Sequence, residues 1–167
     1  MSADRLVNLV CRRLLNEPQE IRETRIFNPG KEGKPFDIDE YDQQAFRMDD
    51  WESQKKFYPY FKNRGIDLST QNAFHRHFCL ATKHGADGAA YTCLAFPLTL
   101  PKEGGTVVGF EERERMRMDG CDSYKGKSEE SNESEGLWIA SPAGTPLAEA
   151  KHIYWFGSTY DAMAYYQ

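Results

Sequence analysis

Between residues 55 and 64, Lys55, Lys56, Lys62 and Arg64 interleave with Phe57, Tyr58, Tyr60 and Phe61. Binding a single nucleic-acid strand needs that pair of chemistries, cations for phosphates and flat π faces for unstacked bases. Aromatic residues at helical spacing also build cores, and most of Phe57, Tyr60 and Phe61 are assigned to packing on that ground. A second basic group comprises Arg113, Arg115, Arg117, Lys125 and Lys127, but Glu111, Glu112, Glu114, Asp119 and Asp122 are threaded through it and offset its charge, so a solvated hairpin is the rival reading. His75, His77 and Cys79 alternate along the chain and would share one face of an extended segment, as zinc ligands could. Structural zinc takes four ligands and no fourth is evident, so these three are read as ordinary strand residues. No phosphate-cradling Gly-rich loop, nucleophilic triad or dinucleotide fingerprint is present, and Gly104-Gly105 is read as a turn.

The elements that must position these residues belong to an ordinary globular chain. Its 167 residues suffice for one domain with an appended piece, and 40% hydrophobic with 13% aromatic residues argue against disorder. No window approaches the ~18 apolar residues of a membrane span, and the N-terminus lacks a signal-peptide core, so a cytoplasmic location is the default expectation. Cys11, Cys79, Cys93 and Cys121 form no spaced framework and read as reduced thiols. The net charge of -5 argues against indiscriminate nucleic-acid binding, yet charge is segregated. Eight acidic residues between Glu32 and Glu52 face only Lys34 and Arg47, whereas six basic residues between Lys55 and Lys83 face only Asp67.

Periodicity predicts an amphipathic helix over Asp4 to Leu15, a turn-rich stretch to Pro35 with a short strand near Glu23 to Phe27, and a short helix from about Ile38 to Met48. Asp49 or Asp50 caps a helix over Trp51 to Lys62 whose apolar side carries Trp51, Phe57, Tyr58, Tyr60 and Phe61, ending where Gly65 suits a left-handed cap. Another helix starts at Leu68. Phe74 to Ala81, Ala89 to Phe96 and Thr106 to Glu111 read as antiparallel strands, the last two joined by a loop over Pro97 to Gly105. Met118 to Gly136 reads as a long loop, Leu137 to Ala140 as a short strand, and Ile153 to Phe156 as an apolar strand leading through Gly157-Ser158-Thr159 into a helix from Tyr160.

Three local patterns, in this order, resemble the N-subdomain of bacterial DNA-primase catalytic cores leading into a Toprim domain, as also found in primase-like proteins of mobile elements. They are Tyr60-Phe61 with Arg64-Gly65-Ile66 and Phe74; Phe96-Pro97 followed by Val107-Val108-Gly109-Phe110 and Arg113; and Ile153-Tyr154-Trp155-Phe156 leading to Asp161-Ala162. The resemblance implies an α+β fold with N-terminal helices, antiparallel strands of a primase-core N-subdomain, and an incomplete Toprim-like strand and helix at the C-terminus. It implies divisions at 1–50 (outside the resemblance), 51–145 and 146–167.

The resemblance implies a nucleic-acid-processing module for replication or transfer of a mobile element. It would bind single-stranded DNA through Arg64, Arg113, Arg115, Lys125, Lys127 and Lys62, with Arg113 foremost. It implies no catalytic residue in this chain: Gly157 stands where Toprim strands end in Glu, and the metal-holding Asp-x-Asp pair would lie beyond Gln167. Asp161 is either a remnant of the active site or a first-turn helix residue favoured by the macrodipole. Mg2+ or Mn2+ is expected only if a complete Toprim site is supplied elsewhere. A non-catalytic interaction module is the alternative, docking on a protein partner or on itself through the C-terminal strand. A nuclease or primase drawing carboxylates from Glu111, Glu112 and Asp161 ranks third.

Overall fold

Short polar side chains start each helix, by accepting from backbone amides that the first turn would leave unpaired. The Asp50 carboxylate accepts from Glu52 N at 3.0 Å and Ser53 N at 3.2 Å to open α1 (Trp51–Phe61). Asp67 accepts from Thr70 N at 2.7 Å to open α2 (Leu68–Ala73), and the Ser158 hydroxyl accepts from Asp161 N at 3.2 Å to open α3 (Thr159–Tyr166). After α1 a single 3-10 turn, Lys62–Arg64, ends at Gly65, whose φ of 69° is the left-handed conformation expected of it.

The computed structural model describes residues 35–85, 88–100, 105–114, 124–132 and 134–167, which fall within one unit, Gly33–Gln167. The expected helix over Asp4 to Leu15, the strand near Glu23, Arg115, Arg117, Cys11, Cys121 and Gly104 lie outside the described residues.

The expected α+β class holds: five antiparallel strands in the order β1-β2-β3-β4-β5 carry the helices. They are β1 (Tyr41–Ala45), β2 (Cys79–His84), β3 (Ala90–Thr99), β4 (Val107–Arg113) and β5 (Lys125–Lys127). Two of these correct the sequence reading. The segment expected as a helix from Ile38 forms one 3-10 turn, Ile38–Glu40, and then β1, because Tyr41 and Gln44 find partners in Lys83 and Leu80 of β2. The segment expected as a loop contains β5, held to β4 by the pairs Glu111↔Lys127 and Arg113↔Lys125.

Other boundaries shift for local reasons. β2 begins at Cys79, not Phe74, because a turn carried by His77 N to Phe74 O at 2.8 Å places both Phe74 and Phe78 in the core. β3 runs on through Pro97, opposite Phe110; its last pairing with β2 is Cys79↔Ala95, so Pro97 lies where β3 has a neighbour on one side only and a missing donor is tolerated. Leu137 makes a single bridge to Thr99. Ile153 to Phe156, expected as a strand, takes no part in the sheet.

Alternation along the strands gives the sheet two apolar faces. One carries Leu80, Leu94 and Phe96 against Phe57, Tyr60 and Phe61 of α1, Ile66, Phe74, Phe78, and Tyr160 and Met163 of α3. The core assignment of Phe57, Tyr60 and Phe61 holds, with exposures of 0%, 2% and 0%, whereas Trp51 (66%) and Tyr58 (52%), expected on the same side, face solvent. The other face carries Tyr41, Cys79, Ala81, Ala95 and Phe110, with the rings of Phe36, Tyr41 and Phe110 meeting at 5.3 to 5.7 Å. At Gly109 a Cβ would overlap Ser131, so only glycine admits the loop that bonds Ser128 N to Phe110 O at 2.9 Å and Asn132 N to Val108 O at 2.8 Å.

Candidate nucleic-acid interface

Tyr160 is the point at which residues distant in the sequence meet. It lies in the first turn of α3, is 8% exposed, and donates its hydroxyl to the Tyr60 carbonyl at 3.1 Å. The Arg64 guanidinium lies over its ring, 5.1 Å from the centroid, because the Gly65 turn presents Arg64 at the end of α1 just where α3 begins. Burial pushes the Tyr160 phenol up to about 12, against the opposing pull of the Arg64 and Arg113 charges. Of the two arginines singled out from the sequence, Arg64 meets the ring, and Arg113 reaches the phenol through its charge alone.

Arg113 arrives there by strand alternation. It stands opposite Leu94 on β3 and Lys125 on β5, so it shares the helix-bearing face with both. Glu111, two residues back on that face, binds the Arg113 guanidinium directly, and a second nitrogen of that guanidinium donates to the Glu112 carbonyl at 2.8 Å. Thr159 adds a hydroxyl donated to the same Glu111 carboxylate at 3.2 Å. The side chains of Arg113 and Glu111 are 12% and 19% exposed, so Arg113 is turned inward and ties β4 to the start of α3 instead of standing free to meet a phosphate.

The remaining expected ligands divide. Lys125 is exposed and Lys127 half-buried, both on the Arg113 face of edge strand β5; Arg64 is exposed. Lys62 is directed elsewhere, its ammonium 5.5 Å from the Tyr58 ring on the outside of α1. Arg64, Arg113, Lys125 and Lys127 are thus brought to one side of the sheet, and Lys62 is not. Sequence reading missed Tyr160 as the meeting point because its position after a Ser cap marks only a helix start.

The carboxylate and zinc possibilities come apart. Glu111 faces the helices, whereas its neighbour Glu112 faces the opposite side, where burial raises its pKa near Lys83 and Glu129. Adjacent strand residues cannot hold one ion between them on opposite faces, so the Glu111, Glu112 and Asp161 set is not a site. Asp161 is exposed in the first turn of α3 and Gly157 is exposed before its cap. Among the described residues no three His, Cys, Asp or Glu side chains gather to hold a metal, so the donor set does not fit a Toprim ion. His75 Nδ1 lies 2.7 Å from Asn72 O and His77 Nε2 3.3 Å from Ser141 O, while Cys79 Sγ is 3.9 Å from Gln43 Oε1; the turn at Phe74 has given each a different partner. Burial lowers the pKa of His77 and pushes the thiols of Cys79 and Cys93 up to about 12 and about 11.

No helix among the described residues is long and apolar enough to cross a membrane. Comparison with family models, curated proteins and solved structures returned no match.

Proposed function

We propose that this chain is a DNA-primase-like module of a mobile element's replication or transfer machinery, one that binds single-stranded DNA and is catalytically incomplete by itself. The observation that carries the reading is the gathering at the first turn of α3: Arg64 over the Tyr160 ring, Arg113 bound to the Glu111 carboxylate that also accepts from Thr159, and Lys125 and Lys127 on the edge strand next to β4. Exposed Arg64 and Lys125 would meet phosphates, and the inward Arg113 would hold the surface in shape. The resemblance in segment order supports the same reading.

Anisotropy titration of a fluorescent single-stranded oligonucleotide across a salt series tests it. Binding should weaken with salt and weaken further in Arg64→Ala, Lys125→Ala, both exposed positions whose loss leaves the core intact. Salt-independent binding, or none at micromolar protein, removes the reading.

A second reading is favoured by the C-terminal run. Ile153, Tyr154, Trp155 and Phe156 are 58%, 62%, 78% and 39% exposed, and their backbone makes no hydrogen bond among the described residues. An apolar, unpaired segment of this kind suits strand addition to a protein partner or a second copy. Light scattering coupled to size exclusion, with Trp155→Glu as control, distinguishes a dimer or complex from a monomer.

A further inference from the structure

We propose that the outward face of α1 is a second binding site for single-stranded nucleic acid, with bases stacked on Trp51 and Tyr58 and phosphates held by Lys55 and Lys62. It shares its ligand class with the reading above but none of its residues, so the two stand or fall separately.

The four residues are spaced at i, i+4, i+7 and i+11, and at about 100° per residue they fall within roughly 60° of one another on the helix surface. The buried residues Ser53, Phe57, Tyr60 and Phe61 occupy a different arc, so the stripe points to solvent. Its order along the axis is aromatic, basic, aromatic, basic. Lys62, in the 3-10 turn that continues α1, extends its ammonium to 5.5 Å from the Tyr58 ring and so presents a cation and a π face together. Lys55 and Lys62 make no ion pair among the described residues, whereas Lys56, off the stripe, donates to Gln44 at 3.2 Å. Glu52 is the exposed acid beside Trp51, and Asp50 is engaged in capping.

Two large aromatic side chains exposed at 66% and 52% on a short helix gain nothing for the fold. The adjacent ammonium groups, which have no carboxylate partner among the described residues, favour an anionic ligand, and the flat rings a ligand that offers π faces. Trp51 and Tyr58 are separated along the axis by about 10 Å, and a base can lie flat on either ring only where its own face is uncovered, which a single strand offers and the interior of a duplex stack does not. Single strands meet these requirements together.

The test titrates the intact chain with a single-stranded oligonucleotide and with its duplex form, comparing wild type, Trp51→Ala, Tyr58→Ala and Lys55→Ala, Lys62→Ala, with urea midpoints to verify folding. Each aromatic loss should weaken single-strand binding about tenfold, since a stacked base contributes ~1–3 kcal/mol, and the double lysine variant should lower the salt slope by about 1.4. Tryptophan fluorescence should be quenched on binding in wild type and much less in Trp51→Ala. Unchanged affinity and quenching in both aromatic variants overturns the proposal, as does equal affinity for the duplex. Loss in these variants with none in Arg64→Ala, Lys125→Ala upholds this site while removing the Tyr160 surface.

Discussion

Replacing Tyr160 by Phe removes one hydroxyl and leaves the ring, which separates the two things this residue does. The hydroxyl donates to the Tyr60 carbonyl at 3.1 Å in an 8% exposed site, so its loss should cost about 1 kcal/mol at neutral pH. The larger effect is a pH dependence. The phenol is pushed from 10.0 up to about 12 by burial, so the folded state holds its proton more tightly than the unfolded state does. The stabilisation linked to that difference is fully present below pH 10 and is lost as pH rises through about 12. At pH 11 the expected loss is about 1 kcal/mol, approaching about 3 kcal/mol when titration is complete. Urea denaturation of wild type and Tyr160→Phe at pH 8, 10 and 11 gives the assay, because other alkaline titrations are common to both proteins and cancel in the difference. The variant's deficit should shrink toward zero or change sign as pH rises. A deficit constant from pH 8 to 11 refutes the argument and would mean that the phenol is as free to ionise folded as unfolded.

Three further outcomes follow from the geometry. Glu111→Ala removes the partner of a guanidinium that is 12% exposed and should destabilise the fold by about 2 kcal/mol in urea; because the inward Arg113 is what holds the proposed surface in shape, single-strand affinity should fall as well, and unchanged affinity in the folded variant would refute that role. Gly65→Ala places a side chain at φ 69° where no neighbour obstructs it, so the expected cost is the backbone term alone, about 1 kcal/mol by thermal or urea unfolding. The Cys79 and Cys93 thiols, pushed up to about 12 and about 11, should react with iodoacetamide at pH 8 far more slowly than in urea-unfolded chain; equal rates at either site would contradict its burial.

What was legible in the sequence was local. The cap at Asp50, the helix end at Gly65 and the helix starts near Leu68 and Tyr160 were readable because each depends on near neighbours, and the structure adds Asp67 and Ser158 as the side chains that cap the last two. β3 and β4 were readable because apolar and branched residues crowd there. β1 was not, since Tyr-Asp-Gln-Gln-Ala carries the acidic, polar composition of a capped helix and becomes a strand only by pairing with β2. β5 is Lys-Gly-Lys, which has no intrinsic strand signal and depends on Glu111 and Arg113 opposite it. The candidate site shows the same division: Arg64 and Arg113 could be chosen by type, but the placing of Arg64 over Tyr160 is a product of the fold, and so is the capture of Arg113 by Glu111.

The C-terminal run tests that distinction most sharply. Ile153 to Phe156 has the composition of a buried strand, yet Trp155 is 78% exposed, while α3, immediately after it, is anchored by Met163 at 0% and Tyr160 at 8%. The helix thus belongs to the core of this unit, and the run before it does not. Rings of Tyr154 and Phe156 rest on Tyr165 at 5.5 and 5.2 Å, which covers one side of the run and leaves the backbone and Trp155 outward. Under the second reading proposed above, an added strand would cover this apolar run, whereas the α1 stripe sets its rings beside Lys55 and Lys62, which form no ion pair among the described residues. The two exposed aromatic surfaces differ in their cations, Lys55 and Lys62 lying along the α1 stripe and none lying within Ile153 to Phe156 itself, so the two proposals require different partners.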